Sequence, residues 1–192
     1  MKTEDLFLYD AIQGNKKPFA DAVYAASAKL GILPEWLMTA MHFESKLNPK
    51  ARNPGSSATG LIQFMDATAR DLGTTTDQLY NMPGEIQMNY VYKYLSRYAG
   101  KMKSLGDVYL AIFYPSALGK GPGYILPLSE RTVQLNKALD ANKDNKLSAG
   151  EITSVIYNYF NKLKTKYPYT GQTLAIISSL LIFAALVKFV QS

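Results

Sequence analysis

Glu44 stands where the sequence pattern predicts a core. In the stretch LMTAMHFESKLNP, residues 37–49, Leu37, Ala40, Met41 and Glu44 fall at i, i+3, i+4 and i+7, one face of a helix. An ionised carboxylate on such a stripe costs several kcal/mol unless it is paired or protonated. A carboxyl kept dry holds its proton toward neutral pH, which is the property a general acid needs. His42, two residues away, points off that face and reads as structural; Trp36, Met41 and Phe43 read as core.

A second group of oxygens has the spacing of a metal loop. Residues 140–151 read DANKDNKLSAGE. With Asp140 at position 1, Asn142, Asp144, Lys146 (through its carbonyl), Ser148 and Glu151 occupy positions 3, 5, 7, 9 and 12. Those are the ligand slots of an EF-hand-like calcium loop, which asks for hard oxygens and a carboxylate in last place. Leu147 takes the apolar position between them. Asn145 stands where glycine is usual, and asparagine tolerates the positive φ of that turn. The plainer reading is a polar loop in which Asp140 and Ser148 cap helices. No second loop of this type is present to pair with the first, so the expected Ca2+ is structural.

Composition narrows the rest. With no cysteine and one histidine in 192 residues, disulfides, thiolate zinc sites and a Cys nucleophile are excluded, and a His-based metal site or Ser-His triad is disfavoured. The net charge of +6 suits an anionic partner. No arginine-rich block, zinc finger or phosphate loop accompanies it, so no nucleic-acid partner is expected. The N-terminus, MKTEDLFLYDAIQG, carries Glu4, Asp5 and Asp10 among its apolar residues and does not read as a signal peptide.

Three regions must position these groups, and the pattern throughout is mainly α. Residues 1–127 read as one helical domain. Pro34 suits a helix start, NPKARNPGSSATG is a loop, residues 85–98 form a helix apolar on much of its circumference, and residues 104–114 form another that Pro115 ends. Residues 128–166 read as helix, loop, helix, with SERTVQLNKAL and EITSVIYNYFNKL flanking the loop. Residues 170–192 hold a hydrophobic helix in which, from 174 to 190, only Lys188 is charged. At ~1.5 Å per residue that run covers about 26 Å, close to a bilayer core, and is expected to be transmembrane. Lys162, Lys164 and Lys166 just before it favour a cytoplasmic N-terminal side.

Residues 20–125 resemble the lysozyme-like lytic transglycosylase domain, the superfamily of soluble lytic transglycosylases and goose-type lysozymes. Glu44-Ser45 matches its Glu-Ser pair at a helix end. GLIQ (Gly60, Leu61, Ile62, Gln63) matches its Gly-Leu-Met-Gln segment with Ile for Met. The third motif departs: IFYPSALG lacks the Asn-Ala-Gly core and looks more like the variant of phage-encoded cell-wall enzymes. The resemblance implies a lysozyme-like helical fold, peptidoglycan glycan strands as substrate, and Glu44 as the catalytic group. It further implies substrate-binding roles for Ser45, Gly60 and Gln63, with Phe113 and Tyr114 competing for the aromatic role. Ser45 is equally a candidate for a local backbone partner, and Tyr114 for core packing.

In such transglycosylases one carboxyl protonates the leaving oxygen and then deprotonates the sugar's own 6-hydroxyl, closing a 1,6-anhydro ring. A hydrolysing lysozyme uses a second carboxylate to activate water. Between Glu44 and Met65 there is no Asp or Glu, which favours the single-acid reaction; Asp66 or Glu85 folding back into the cleft would reverse this. The variant third motif and hydrophobic tail suggest a phage protein of the virion or host membrane, with virion or membrane-complex partners, used to breach the wall in infection or in lysis. The alternatives are a hydrolase, an inactive lysozyme-like structural component, and a calcium-regulated binding module.

Overall fold

A computed structural model describes residues 2–168. The hydrophobic helix expected over 170–192 lies outside the described residues. Among the described residues no helix is long and apolar enough to cross a membrane.

The architecture is mainly α, as the pattern predicts. Among the described residues eight α-helices are joined by loops and short 3-10 turns, and strand pairing is confined to isolated bridges. Helix α1 (Lys16–Leu30) packs along α5 (Gly84–Leu95). Helix α2 (Pro34–Ser45) runs against α1 and takes its start from Pro34, whose fixed φ suits a first helical position. Leu37, Ala40 and Met41, the stripe that carries Glu44, are fully buried. The loop after α2 leads to two short helices, α3 (Asp66–Asp71) and α4 (Thr76–Asn81). Helix α6 (Leu105–Phe113) opens on Ser104, whose hydroxyl accepts from the Asp107 N–H, and stops before Pro115.

The region after residue 127 differs in detail from the expected helix–loop–helix. The first flank divides into α7 (Glu130–Leu135) and a 3-10 turn, Lys137–Leu139. Asn136 marks the division: its amide donates to the Thr132 carbonyl, offering the backbone a competing partner where the helix would have continued. The second flank, α8 (Ala149–Lys166), is long and packs on α6 and α2. Gly106 permits the α6–α8 approach, since a Cβ there would lie 2.8 Å from Thr153 Cγ2. Leu139, Leu147, Ile152, Ile156 and Leu163 therefore join the same hydrophobic core as α1, α2 and α6.

Candidate active site

Glu44 lies in the last turn of α2, one residue before the helix ends. Two consecutive non-glycine residues then turn left-handed, Lys46 at φ 56° and Leu47 at φ 58°. Each such residue costs on the order of 1 kcal/mol, and the surroundings hold both. Leu47 is fully buried. The Lys46 N–H donates to the His42 carbonyl and the Asn48 N–H to the Ser45 carbonyl. The sharp reversal turns the chain away directly after the acid.

The carboxyl of Glu44 is surrounded mostly by protein. Burial pushes its pKa up to about 7, opposed by a hydrogen bond from the Tyr109 phenol and by the charge of Lys46. Tyr109 is 2% exposed and comes from α6; burial, then the adjacent carboxylate, hold its phenol far above the ordinary range, so it stays a donor. Three surface cavities of about 280, 350 and 470 Å³ lie elsewhere, none of them lined by Glu44.

Tyr109 was missed by the sequence reading, which placed the aromatic role on Phe113 or Tyr114. Phe113 sits one turn further along α6 and stacks on Tyr109, centroids 6.1 Å apart and interplanar angle 24°. Tyr114 ends the helix and packs half-buried against the core. The available signal was spacing: Tyr109 is i−4 from Phe113, on the same helical face.

The other expected substrate contacts brace the site from behind. Ser45 is buried, and its hydroxyl has the Met41 and Leu61 carbonyls as acceptors, both at 3.0 Å. It thus ties the end of α2 to the GLIQ segment. Gly60 has φ +81°, and what approaches it is Gln87: a Cβ at Gly60 would lie 2.5 Å from Gln87 Oε1. Gln63, at φ 55°, donates its amide to the Gly60 and Ala51 carbonyls. Gln87 is the unforeseen member of this group. Fully buried on α5, it accepts from the Leu61 N–H at 3.1 Å and has the Pro49 and Leu79 carbonyls as acceptors for its amide. Its sequence signal was the one Glu44 gave, a polar residue on an apolar stripe with Val91 and Leu95.

Asp66 and Glu85, the two acids considered for a second carboxylate, have partners elsewhere. Asp66 opens α3 and accepts from the Thr76 hydroxyl at 2.6 Å. Glu85 accepts from the Asn15 amide at 3.3 Å.

Residues 140–151 fold as a tight loop of backbone-capturing side chains. Asp140, 7% exposed, accepts from the N–H groups of Asp144 and Asn145. Asn142 accepts from Asp144 N–H, and Asp144 from Lys146 N–H. Asn145 has φ 60°, the conformation expected of it, and Lys143 has φ 62°. Ser148 and Glu151 form the capping box of α8, so the capping reading of Ser148 holds here. Burial would raise the Glu151 carboxyl, but hydrogen bonds from Ser148, Asn142 and Ala141 outweigh it and hold the pKa below the ordinary range. The loop is paired after all, though not with a second one: Leu126 N–H donates to the Leu147 carbonyl and Ala149 N–H to the Tyr124 carbonyl. The oxygen donors and left-handed turns suit a hard cation. The three acids nevertheless point mainly at N–H groups, and among the described residues no three His, Cys, Asp or Glu side chains gather as a metal cluster.

Residues 21–114, just under half of the chain, match the Transglycosylase SLT domain family. The match supports the lysozyme-like lytic transglycosylase superfamily for this stretch, a peptidoglycan-cleaving type of function, and glycan strands as the substrate.

Proposed function

We propose that the protein cleaves peptidoglycan glycan strands as a lytic transglycosylase, with Glu44 as its single catalytic group. The observation that carries this is the burial of the Glu44 carboxyl against Tyr109, which pushes its pKa up to about 7. At neutral pH such a group is divided between its acid and base forms, so one residue can give a proton and then take one. As acid it protonates the glycosidic oxygen while the bond to the sugar's C1 breaks. As base it removes the proton of the same sugar's 6-hydroxyl, whose oxygen closes on C1 to give a 1,6-anhydro-muramyl end. Its proton count is then restored.

Tyr109 steadies the carboxylate between the two steps, and Lys46 lowers the cost of its charge. Ser45, Gly60 and Gln63, with Gln87 behind them, hold the GLIQ segment against the end of α2. In this reading Phe113 and Tyr114 line the sugar side, Phe113 by keeping Tyr109 in place. The engagement of Asp66 and Glu85 elsewhere favours this reaction over hydrolysis. Mass spectrometry of the products tests it. Anhydromuropeptides are expected; reducing ends would make the protein a hydrolase, and no products would make it an inactive structural relative.

Two further assignments complete the proposal. Asp140, Asn142, Asp144, Lys146 (carbonyl), Ser148 and Glu151 hold a structural Ca2+, which supplies positive charge to a loop of carboxylates and no catalytic step. Isothermal titration with Ca2+ tests this, and no binding heat at millimolar ion would remove it. The setting is a phage virion or host membrane facing the peptidoglycan, on the strength of the variant third motif and the apolar run at 174–190. Its absence from purified particles and from membrane fractions would remove that setting.

A further inference from the structure

The end of α2 is contacted by a helix from outside residues 21–114. Tyr159 of α8 stands edge-on to Phe43, centroids 4.9 Å apart at 84°. Its hydroxyl lies 2.7 Å from His42 Nδ1 and 2.9 Å from Lys46 Nζ. An ammonium only donates, so the Tyr159 oxygen accepts from Lys46, which leaves its own proton for His42 Nδ1. That arrangement needs a neutral imidazole, and the surroundings supply one: burial, then Lys46 and Lys166, push His42 down to about 4. Both partners lead back to the acid. Phe43 is edge-on to Tyr109 at 5.2 Å, and Tyr109 hydrogen-bonds Glu44; Lys46 is the cation that acts on Glu44.

We propose that Tyr159 is a positioning residue of the active site: it fixes Phe43 and Lys46, and through them the packing and charge around Glu44. The inference rests on Glu44 being the proton donor. Tyr159 touches neither Glu44 nor, in this reading, the sugar. Its ring keeps Phe43 packed on Tyr109, which excludes water from that side of the carboxyl. Its hydroxyl is one of three acceptors for Lys46 Nζ, beside the His42 and Phe43 carbonyls. Among the described residues the groups that act on Glu44 are Tyr109 from α6 and Lys46 from the end of α2; Tyr159 of α8 acts on His42 and Lys46, and Lys166 of α8 on His42.

The two parts of the side chain push the acid in opposite directions, and this separates positioning from a general packing role. Tyr159→Phe keeps the ring and removes one of the three acceptors that hold Lys46 beside the acid, so the Glu44 midpoint should rise. Tyr159→Ala removes the ring together with the hydroxyl; the water it admits outweighs the lost acceptor, so the midpoint should fall and kcat should drop about ten-fold with KM little changed. Tyr157→Ala is the control. Tyr157 is exposed on the same helix and lies over Gly106 of α6, so its loss weakens α8 packing without touching α2.

The experiment measures full-length wild type and the three variants in two ways: kcat and KM on purified peptidoglycan across pH, and the Glu44 carboxyl titration by 13C NMR. Opposite shifts for the two Tyr159 variants, with no shift for Tyr157→Ala, are expected. Unmoved midpoints and kcat within two-fold of wild type, or shifts matched by Tyr157→Ala, would overturn the proposal. Should Tyr159→Ala fail to fold, Tyr159→Phe decides, since it removes one hydroxyl. A wild type that turns over no peptidoglycan would defeat the reading of function, while the carboxyl titration would still decide the role of Tyr159.

Discussion

Glu44 and Glu151 are the same side chain in the last turn of one helix and the first turn of another, and their surroundings send them opposite ways. Glu44 sits at the C-terminal end of α2, where the helix dipole disfavours negative charge, with one phenol as its hydrogen-bond donor. Glu151 sits at the N-terminal end of α8, where the dipole favours charge, and receives three backbone N–H groups and the Ser148 hydroxyl. Burial dominates the first, and its pKa rises; hydrogen bonds outweigh burial in the second, and its pKa falls. One residue type is thus raised at one helix end and lowered at the other by burial and by the number of donors within reach.

The largest effect should come from Glu44→Gln, which keeps the shape and removes the proton. We expect kcat to fall by about 10³-fold or more, read as anhydromuropeptide release, with circular dichroism unchanged. Retained turnover would move the acid elsewhere and end the comparison.

The same substitution should stabilise the protein, increasingly as pH rises from about 4.5 to 7 and to a constant extent above that. The folded pKa of Glu44, about 7, is raised above its ordinary 4.5. Its contribution is therefore fully present below about pH 4.5 and lost as pH rises through 7. Glutamine has nothing to lose, so the variant should gain up to about 3 kcal/mol at pH 8.5 and nothing at pH 4. His42 has the opposite sign, because its folded pKa of about 4 lies below 6.5, and its contribution is lost as pH falls between those values. That loss is common to both proteins and cancels in the difference. Urea titrations at the two pH values check it; an equal gain at both would mean that burial does not raise the acid.

Glu151→Gln should behave as the reverse case. It keeps the capping hydrogen bonds in weakened form, so without Ca2+ the cost should be about 0.5–1 kcal/mol. Any rise in Tm that Ca2+ gives the wild type should shrink. The alkaline limb of activity should stay where it is, since Glu151 has no part in the proton transfer.

Glu44 was legible because a charged residue on an apolar stripe breaks a period, and the break points at the residue itself. The helices near 85–98 and 104–114 were legible from their apolar residues, and Pro34 and Pro115 marked a start and an end; the bounds of α1, α3 and α4 were not read from the pattern. Tyr109 was not, because a tyrosine on a buried helical face is what packing alone also produces; only the crossing of α2 and α6 makes it a donor to the acid. Gln87 broke its stripe as Glu44 did, but its partners, Leu61 and Pro49 in loops and Leu79 in the short α4, are brought to it by a chain path that no period encodes. Ser45 was expected to touch sugar or a local backbone partner and Gly60 to let sugar approach; Ser45 bonds the Met41 and Leu61 carbonyls, and Gln87 approaches Gly60. The pairing of the 140–151 loop with residues 124–126 was hidden because a backbone ladder of two bonds leaves no side-chain pattern.

The smallest expected effect is the sharpest on the comparison. Among the described residues Tyr109 is the one hydrogen-bond donor that acts on Glu44, where Glu151 has four. Tyr109→Phe keeps the ring on Phe43 and Phe113 and removes only the hydroxyl. The neutral acid loses little, because a protonated carboxyl asks less of its partners than a carboxylate does. The ionised form loses its donor, so the midpoint should rise further above 7, by less than about 0.4 pH unit, or ~0.5 kcal/mol. The alkaline limb of kcat should move up with it. Activity at low pH, where the acid is protonated in either protein, should change least. A midpoint that falls instead would mean that water enters the space left by the hydroxyl and hydrates the carboxylate, and the acid of α2 would then be as wet as the acid of α8.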